Sequence, residues 1–389
     1  MLCLALLAGA CATSFERPAP FDDTALRARA KTIEEQGVRV SVAVPSAAEN
    51  EAIFGIDLHG KNIEPVWLEI ENRSPRPVWF LPTGLDPNYF APREVAFGYH
   101  TWFADDANSA LDEHLERLGF QSPIRVGETV SGYVFTNAEK VAKVITIDLI
   151  SRSWANTMTM VVPIPGFELG ADRLRRIAGE LPPGAMAAGS ESELRALLEK
   201  LPCCVTSKDG APGEPLNVVL IGTISTAGPA LQRRSYRYAP VAPRYLFGRE
   251  QDISGHKMSG WIPGQPTVVR LWQTDVHFHG QPVWAGQVSM PLGGRFAGDT
   301  ADGAAGPIEP DVDAARNDLV QDLLYSQMVV RLGFVEGVGA AKPASARTTP
   351  GGGSYFTDGL RAVFLFGHGN IPLSEIEFFD WERLSDHRQ

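Results

Sequence analysis

Alternating apolar and polar positions dominate the first part of the chain. Val38-Arg-Val-Ser-Val-Ala-Val44 reads as a half-buried strand, because successive side chains of a strand point to opposite faces. Val66–Asn72, Val78–Leu81, Gly132–Phe135, Val144–Leu149 and Thr157–Val162 repeat that pattern, with Ser74-Pro-Arg-Pro77 as a turn. Short strands bounded by Pro and Asn predict a β-sandwich over residues 38–165. Glu71-Asn-Arg-Ser74 beside an extended strand is common in Ig-like bacterial domains, which is a fold analogy. One helix interrupts the strands at Asp105–Leu118, with Leu111, Leu115 and Leu118 on one face.

Beyond residue 165 the pattern changes. Pro163–Pro183 reads as a connection between domains. Ser190-Glu-Ser-Glu193 has the form of a capping box, followed by a stripe of Leu194, Leu197, Leu198 and Leu201. Val218–Ile221 is a buried strand. Val268–Val276 and Pro282–Ser289 read as a hairpin with His279-Gly280-Gln281 at its tip. The strongest helical pattern covers Asp311–Leu332, Leu360–Phe366 returns as a strand, and Ser374–Trp381 caps the domain. The expected fold class is α+β: an N-terminal Ig-like β-sandwich domain at 38–165, then a mixed α/β domain at 190–381 and a tail at 382–389.

The N-terminus carries a different signal. Met1–Cys11 is an apolar run, too short to span a bilayer as a helix and suited to a secretory signal. Leu7-Ala-Gly-Ala-Cys11 resembles a bacterial lipobox, in which the Cys is acylated and becomes the mature N-terminus. Residues 1–11 are therefore read as a lipoprotein-type signal, Cys11 as the lipidation site and 12–37 as a tether. The membrane is then a partner through this anchor. A net charge of −11 argues against nucleic acid, whose phosphates require Lys and Arg. Cys203 and Cys204 are neighbours in sequence, a spacing that rarely meets disulfide geometry, so they read as small residues in a turn. No Cys/His zinc spacing is present.

Several blocks between Leu216 and Trp381 occur in a recognisable order: Leu216–Gly222, Leu246-Phe-Gly-Arg-Glu-Gln-Asp252, Pro282-Val-Trp-Ala-Gly286, Glu309-Pro-Asp-Val-Asp313 and Tyr355-Phe-Thr-Asp-Gly-Leu-Arg361. They resemble the LssY C-terminal-domain family, associated with type I secretion. The resemblance implies an envelope protein with secretion or envelope partners. In some relatives the domain follows membrane segments resembling DedA proteins and phosphatidate-type phosphatases. The family usually carries an Asp before the Pro-Asp pair and a His just upstream; Glu309 and Gly306-Pro307 stand there in this chain.

Charged and amide side chains recur beside aromatics in the same region. Arg249, Gln251, Asp252 and Lys257 suit either an anion site, with Arg as a planar fork, or an Arg–Asp lock across a turn. Asp311 and Asp313 suit a hard cation or the capping of a helix, and Arg270 and Asp358 complete the candidate polar site. Asp318 and Asp322 with Arg316 read as helix-surface charges. His277 and His279 are two potential metal ligands without an evident third. P-loop, nucleophile-elbow, HExxH and Rossmann patterns are absent, and no cofactor is implied. The leading expectation is a lipid-anchored envelope protein that binds partners. The alternatives are a hydrolase of a phosphate-bearing envelope lipid, and a carbohydrate- or lipid-binding module using Trp272, Trp284 and Tyr355.

Overall fold

The computed structural model describes residues 15–139, 142–152, 154–166, 170–239, 241–257, 267–292, 308–349 and 353–381. The signal segment with Cys11, the Gly293–Pro307 stretch and the tail at 382–389 lie outside them. The molecule is a mixture of helices and mainly antiparallel sheets. Two compact units divide it. One contains residues up to Val78 together with Tyr89–Ala138, and the other contains Trp79–Asn88 and residues from Glu139 onward.

The first unit is built on a four-stranded antiparallel sheet, in the order Lys31–Glu35, Val38–Ala43, Ile63–Asn72, Thr129–Asn137. Val40 faces Ile70 and Trp67 faces Tyr133 across the ladder, so apolar partners meet strand to strand. Val38, Val40, Val66, Leu68 and Ile70 are buried, and so are Trp67, Tyr133 and Phe135, so both faces of the sheet are shielded. Helices cover the second set. The Ala47–Phe54 helix opens on a capping box, in which the Ser46 hydroxyl accepts from the Glu49 amide and the Glu49 carboxylate accepts from the Ser46 amide. Gly55 ends it in the left-handed region at φ 68°, and Phe54 packs edge-on against Tyr133. The helix expected at Asp105–Leu118 forms over those residues and buries Leu111 and Leu115. Residues 24–35 of the expected tether are part of this unit. They form the Thr24–Arg29 helix and the Lys31–Glu35 strand, with Leu26 fully buried.

The strands expected within 38–165 enter two different sheets. Trp79–Leu81, Ala142–Ser151 and Trp154–Pro163 form a three-stranded sheet of the second unit. The main sheet of that unit is mixed. Its order is Tyr236–Tyr238, Ile253–Lys257, Val268–Phe278, Gln281–Ser289, Val218–Ile221, Arg361–Phe366, Val329–Val335, Glu377–Phe378, and Met186–Ala188 pairs with the end of Val268–Phe278. Val218-Val-Leu-Ile221 runs antiparallel to one neighbour and parallel to the other. Its Val218 and Leu220 enter one core with Leu319 and Leu323, while Val219 and Ile221 enter another with Leu194 and Leu198. An unbroken apolar run is what a strand covered on both faces requires. Gly286 stands opposite Val218, where a Cβ would lie 2.5 Å from Val218 Cγ2.

Three sequence expectations change here. The helix expected over Asp311–Leu332 covers Val312–Tyr325 only, because Gln327 adopts φ 61° and β-branched Val329–Val335 turns back as a strand against Arg361–Phe366. Ser190 caps the Glu191–Glu199 helix from its side chain, but the Glu193 carboxylate accepts from the Gly189 amide instead of closing the box on Ser190. Cys203 and Cys204, read as unlinked, are joined by a disulfide at the bend before the Cys204–Thr206 strand. Among the described residues no helix is long and apolar enough to cross a membrane.

Candidate functional site

The candidate residues of the second unit fall into four clusters. Asp252 is the centre of the first. Its side chain is 1% exposed. It takes Arg176 at 2.5 Å on one oxygen. The other oxygen takes the Gln273 amide at 2.9 Å and Arg249 at 3.4 Å. Arg173 donates to the Asp252 carbonyl at 2.9 Å, and Arg249 also reaches the Gln273 carbonyl. The Ala171–Ile177 helix thus supplies two guanidinium groups to a turn that lies 76 residues away for the closer pair. This is a lock, the structural alternative that the Arg249–Asp252 spacing left open.

Gln251 and Arg270 belong to a second cluster. The Gln251 side chain accepts from the Arg244 amide at 2.9 Å, and Arg244 forms a forked pair with Glu214 at 2.9 Å on both arms. Burial raises the Glu214 carboxyl, but its bond and attraction to Arg244 outweigh this and hold it below its ordinary value. Arg270 is buried, donating to Gln287 Oε1 at 2.6 Å and to the Ala242 carbonyl at 3.2 Å. Burial, followed by repulsion from Arg244, pushes its pKa down to about 10.

Lys257 joins a third cluster around Asp322, at 2.6 Å, with the Tyr236 hydroxyl donating at 3.1 Å and Arg234 at 3.3 Å. Burial, and then the Asp322 charge, raises the Tyr236 phenol above its ordinary range. Asp322 is therefore buried and triply bonded, not a helix-surface charge; Asp318 is exposed as expected.

The fourth cluster sits at the start of the Val312–Tyr325 helix. Asp311 caps it by accepting from the Asp313 amide at 3.1 Å. Asp313 accepts from the Thr357 hydroxyl at 2.8 Å and the Asp358 amide at 2.6 Å, and stands 3.2 Å from Arg316. Arg316, expected on the surface, is fully buried and forks onto Asp358 at 2.7 and 2.8 Å. Its helix position points it inward, over the Phe334 ring, and not toward Asp318 or Asp322. Burial raises the Asp313 carboxyl above its ordinary value against the pull of Arg316.

The structure therefore joins Arg249 to Asp252, and Asp313 and Asp358 through Arg316. Gln251, Arg270 and Lys257 go to partners outside the candidate set. Arg176, Arg244 and Glu214 were missed, since their partners lie tens of residues away and no local spacing marks them, and Arg316 was read as a surface charge because its fork onto Asp358 spans 42 residues. Arg361 was read only as part of a family block. It is fully buried and donates to five carbonyls, those of Leu198, Leu201, Pro202, Leu216 and Gly337, at 2.6–3.1 Å. Burial pushes its pKa down to about 10.

Other candidates separate in the same way. Trp272, Trp284 and Tyr355 are core residues, at most 2% exposed, so they do not form an exposed aromatic platform. His277 is the penultimate residue of the Val268–Phe278 strand and His279 occupies the hairpin turn at φ 48°. Among the described residues no cluster of three or more His, Cys, Asp or Glu is placed to hold a metal. A pocket of about 70 Å³ opens between the Ile224–Gln232 helix and the Ile253–Lys257 and Val268–Phe278 strands, with apolar walls and Gln232, Arg237 and Asp86 among its lining residues.

Comparison with known proteins bears on this second unit. No curated protein matches the chain. A family model described as the LssY C-terminus matches residues 223–360, the family that the sequence blocks of this region resemble.

Proposed function

We propose that the chain is a lipid-anchored protein of the bacterial cell envelope, facing the periplasm or the exterior. It acts by binding, as an accessory component in secretion or envelope upkeep, and not by turnover. The observation that carries this reading is the mutual pairing of the charged candidates. Asp252, Asp313, Asp358 and Asp322 each hold a cation, and Arg270 and Arg361 are committed to amide and carbonyl oxygens. A catalytic carboxylate or guanidinium has to face a substrate; these face one another. Two further features support the address. Leu7–Cys11 has the wording of a lipobox, and the Cys203–Cys204 disulfide suits an oxidising compartment. For residues 38–165 we keep the Ig-like sandwich as the reading of the fold, supported by the antiparallel pairing of its strands.

The test is Cys11→Ser followed by fractionation of cells. Several acyl chains hold a protein stably on a bilayer, so loss of the acceptor is expected to move the chain from the membrane to the soluble envelope fraction. Unchanged membrane partition overturns the anchor. Arg249→Ala and Asp313→Ala separate a site from a lock: an envelope phenotype with unchanged melting would overturn the structural reading of those pairs.

A further inference from the structure

The loop between the Pro92–Phe97 and Asp105–Leu118 helices of the first unit displays aromatic rings to solvent. Trp102 is 89% exposed and Phe103 is 99% exposed, and their rings meet edge-on at 6.2 Å. Phe97, at the end of the first of these helices, is exposed too. The base of the loop is pinned residue by residue. The Asn108 side chain accepts from the Thr101 amide at 3.0 Å and donates to the Thr101 carbonyl at 2.9 Å. His100 pairs with Asp112 at 2.9 Å, the Tyr99 hydroxyl donates to the Asp57 carbonyl, and Lys61 donates to the Gly98 carbonyl. Phe103 lies in the left-handed region at φ 63°, which a residue with a Cβ adopts at a cost. A held base and a strained tip thus carry two bare rings outward, and backbone strain of this kind gathers at functional sites.

The rings stand close to where the chain leads back to Cys11. The Phe15 ring packs 5.7 Å from His114, and Arg17 reaches Glu113 at 3.3 Å, both on the helix that begins just after the loop. The helix rises about 14 Å from Asp105 to His114, at about 1.5 Å per residue. Cys11 precedes Phe15 by four residues, which reach about 14 Å at full extension. An acylated Cys11 therefore keeps this helix within a short tether of the bilayer, and turning the unit on that tether brings the loop tip to the lipid.

A bilayer suits the tip better than a protein does. Trp102 and Phe103 together bury about 300–500 Å² when fully covered, whereas a stable protein interface takes about 800 Å² from each partner. The flanks do not extend the apolar area, since Thr101, Asp105 and Asp106 are exposed beside the tip. Single Trp rings, by contrast, settle at the headgroup level of a membrane. Charge narrows the lipid. The nearby cations are engaged, Arg93 with Glu116 and Lys61 with the Gly98 carbonyl and the Tyr99 ring, which leaves the acids of the helix start facing outward. We propose that Trp102 and Phe103 insert into the lipid surface that carries the Cys11 anchor, as a second contact that orients the first unit on zwitterionic headgroups. The inference rests on the anchored reading and adds the face turned to the bilayer.

The experiment reads the tryptophan emission of the full chain, purified with Cys11 intact and reconstituted into phosphatidylcholine vesicles whose acyl chains carry bromine, a contact quencher. The emission should be quenched, and Trp102→Phe should remove the quenched part. Phe103→Asp keeps the Trp102 reporter and suits a left-handed backbone, but places a charge in the apolar layer. It should lose the quenching without a lower melting temperature. Brominated phosphatidylglycerol in place of part of the lipid should not increase the quenching; an increase would overturn the zwitterionic assignment. Two rings hold weakly by themselves, so the Cys11→Ser chain should need roughly tenfold more lipid for the same quenching. No Trp102 quenching with either chain, or a folded Phe103→Asp chain quenched as fully as the native one, would overturn the insertion, leave the anchor standing and assign the tip to a protein partner. An equal lipid requirement with and without Cys11 would overturn the anchor and leave the insertion.

Discussion

Arg316 lays its guanidinium along the Asp358 carboxylate through two bonds of 2.7 and 2.8 Å, and the same guanidinium stands 3.2 Å from Asp313. One buried cation thus balances two carboxylates that come from distant parts of the chain. Removing it leaves both acids uncompensated. Arg316→Ala is expected to cost roughly 3–5 kcal/mol, the range for breaking a buried ion pair. Urea unfolding should show this as a lower midpoint, and a change under about 1 kcal/mol would mean that the fork is dispensable.

The Asp252 cluster predicts an asymmetry between its members. Asp252→Ala strands Arg176 and Arg249 together and removes the acceptor of the Gln273 amide, so a loss of about 3–5 kcal/mol is expected. Arg249→Ala leaves Asp252 paired with Arg176, and Arg249 is 31% exposed. Its loss should be nearer 1 kcal/mol, in line with exposed pairs. Equal losses in the two variants would show that Arg176 contributes nothing.

Acid titration provides a third test. Glu49 is bonded by Arg29 and by the Ser46 amide, and these hold its pKa at about 2 against an ordinary 4.5. A folded value below the unfolded one stabilises the fold above the unfolded pKa, and that contribution fades as the pH falls through the folded pKa. The stability gap between the native chain and Glu49→Gln should therefore be full above about pH 4.5 and shrink toward about pH 2. A gap that stays constant over this interval would contradict the pairing.

The same helix start can be read from the other side of the box. Ser46→Ala removes the hydroxyl that accepts from the Glu49 amide, at an expected cost of about 1 kcal/mol. Ser46→Asn retains a capping acceptor and should recover most of it. Denaturant unfolding of the two variants compares them directly.

Local signals were legible in proportion to how local their causes are. Asp105–Leu118 was read from its apolar face and Val218–Ile221 as a buried strand from its unbroken apolar run, and both match the observed elements residue for residue. The helix at 312–325 was read too long because Val329 and Val330 extend an apolar pattern that suits a two-sided strand as well as a helix, while Gln327 gives no turn signal of its own. The candidate site was legible only as a list of residue types. Arg249 and Asp252 are three apart and were seen as a pair, yet the strongest contact to Asp252 comes from Arg176, which nothing near Asp252 announces. Arg316 has the spacing of a surface helix residue, and only the fold turns it inward. The pocket is still less visible in sequence, since its walls come from strands and a helix brought together by topology.

The five carbonyls gathered by Arg361 have a consequence for where this domain can be cut. Four of them, from Leu198 to Leu216, precede residue 223, and Arg361 itself follows residue 360. Two adjacent inner strands of the main sheet, Val218–Ile221 and Arg361–Phe366, fall on the same two sides of the family match. The span shared with relatives is therefore shorter than the span able to fold. A fragment trimmed to 223–360 would lose both of these strands, Glu377–Phe378 and the cation that ties its ends together, leaving a four-stranded piece and the Val329–Val335 strand without a neighbour in the sheet. The smallest autonomous piece has to reach back to the Glu191–Glu199 helix and forward past Phe366, so homology and foldability set different borders on this chain.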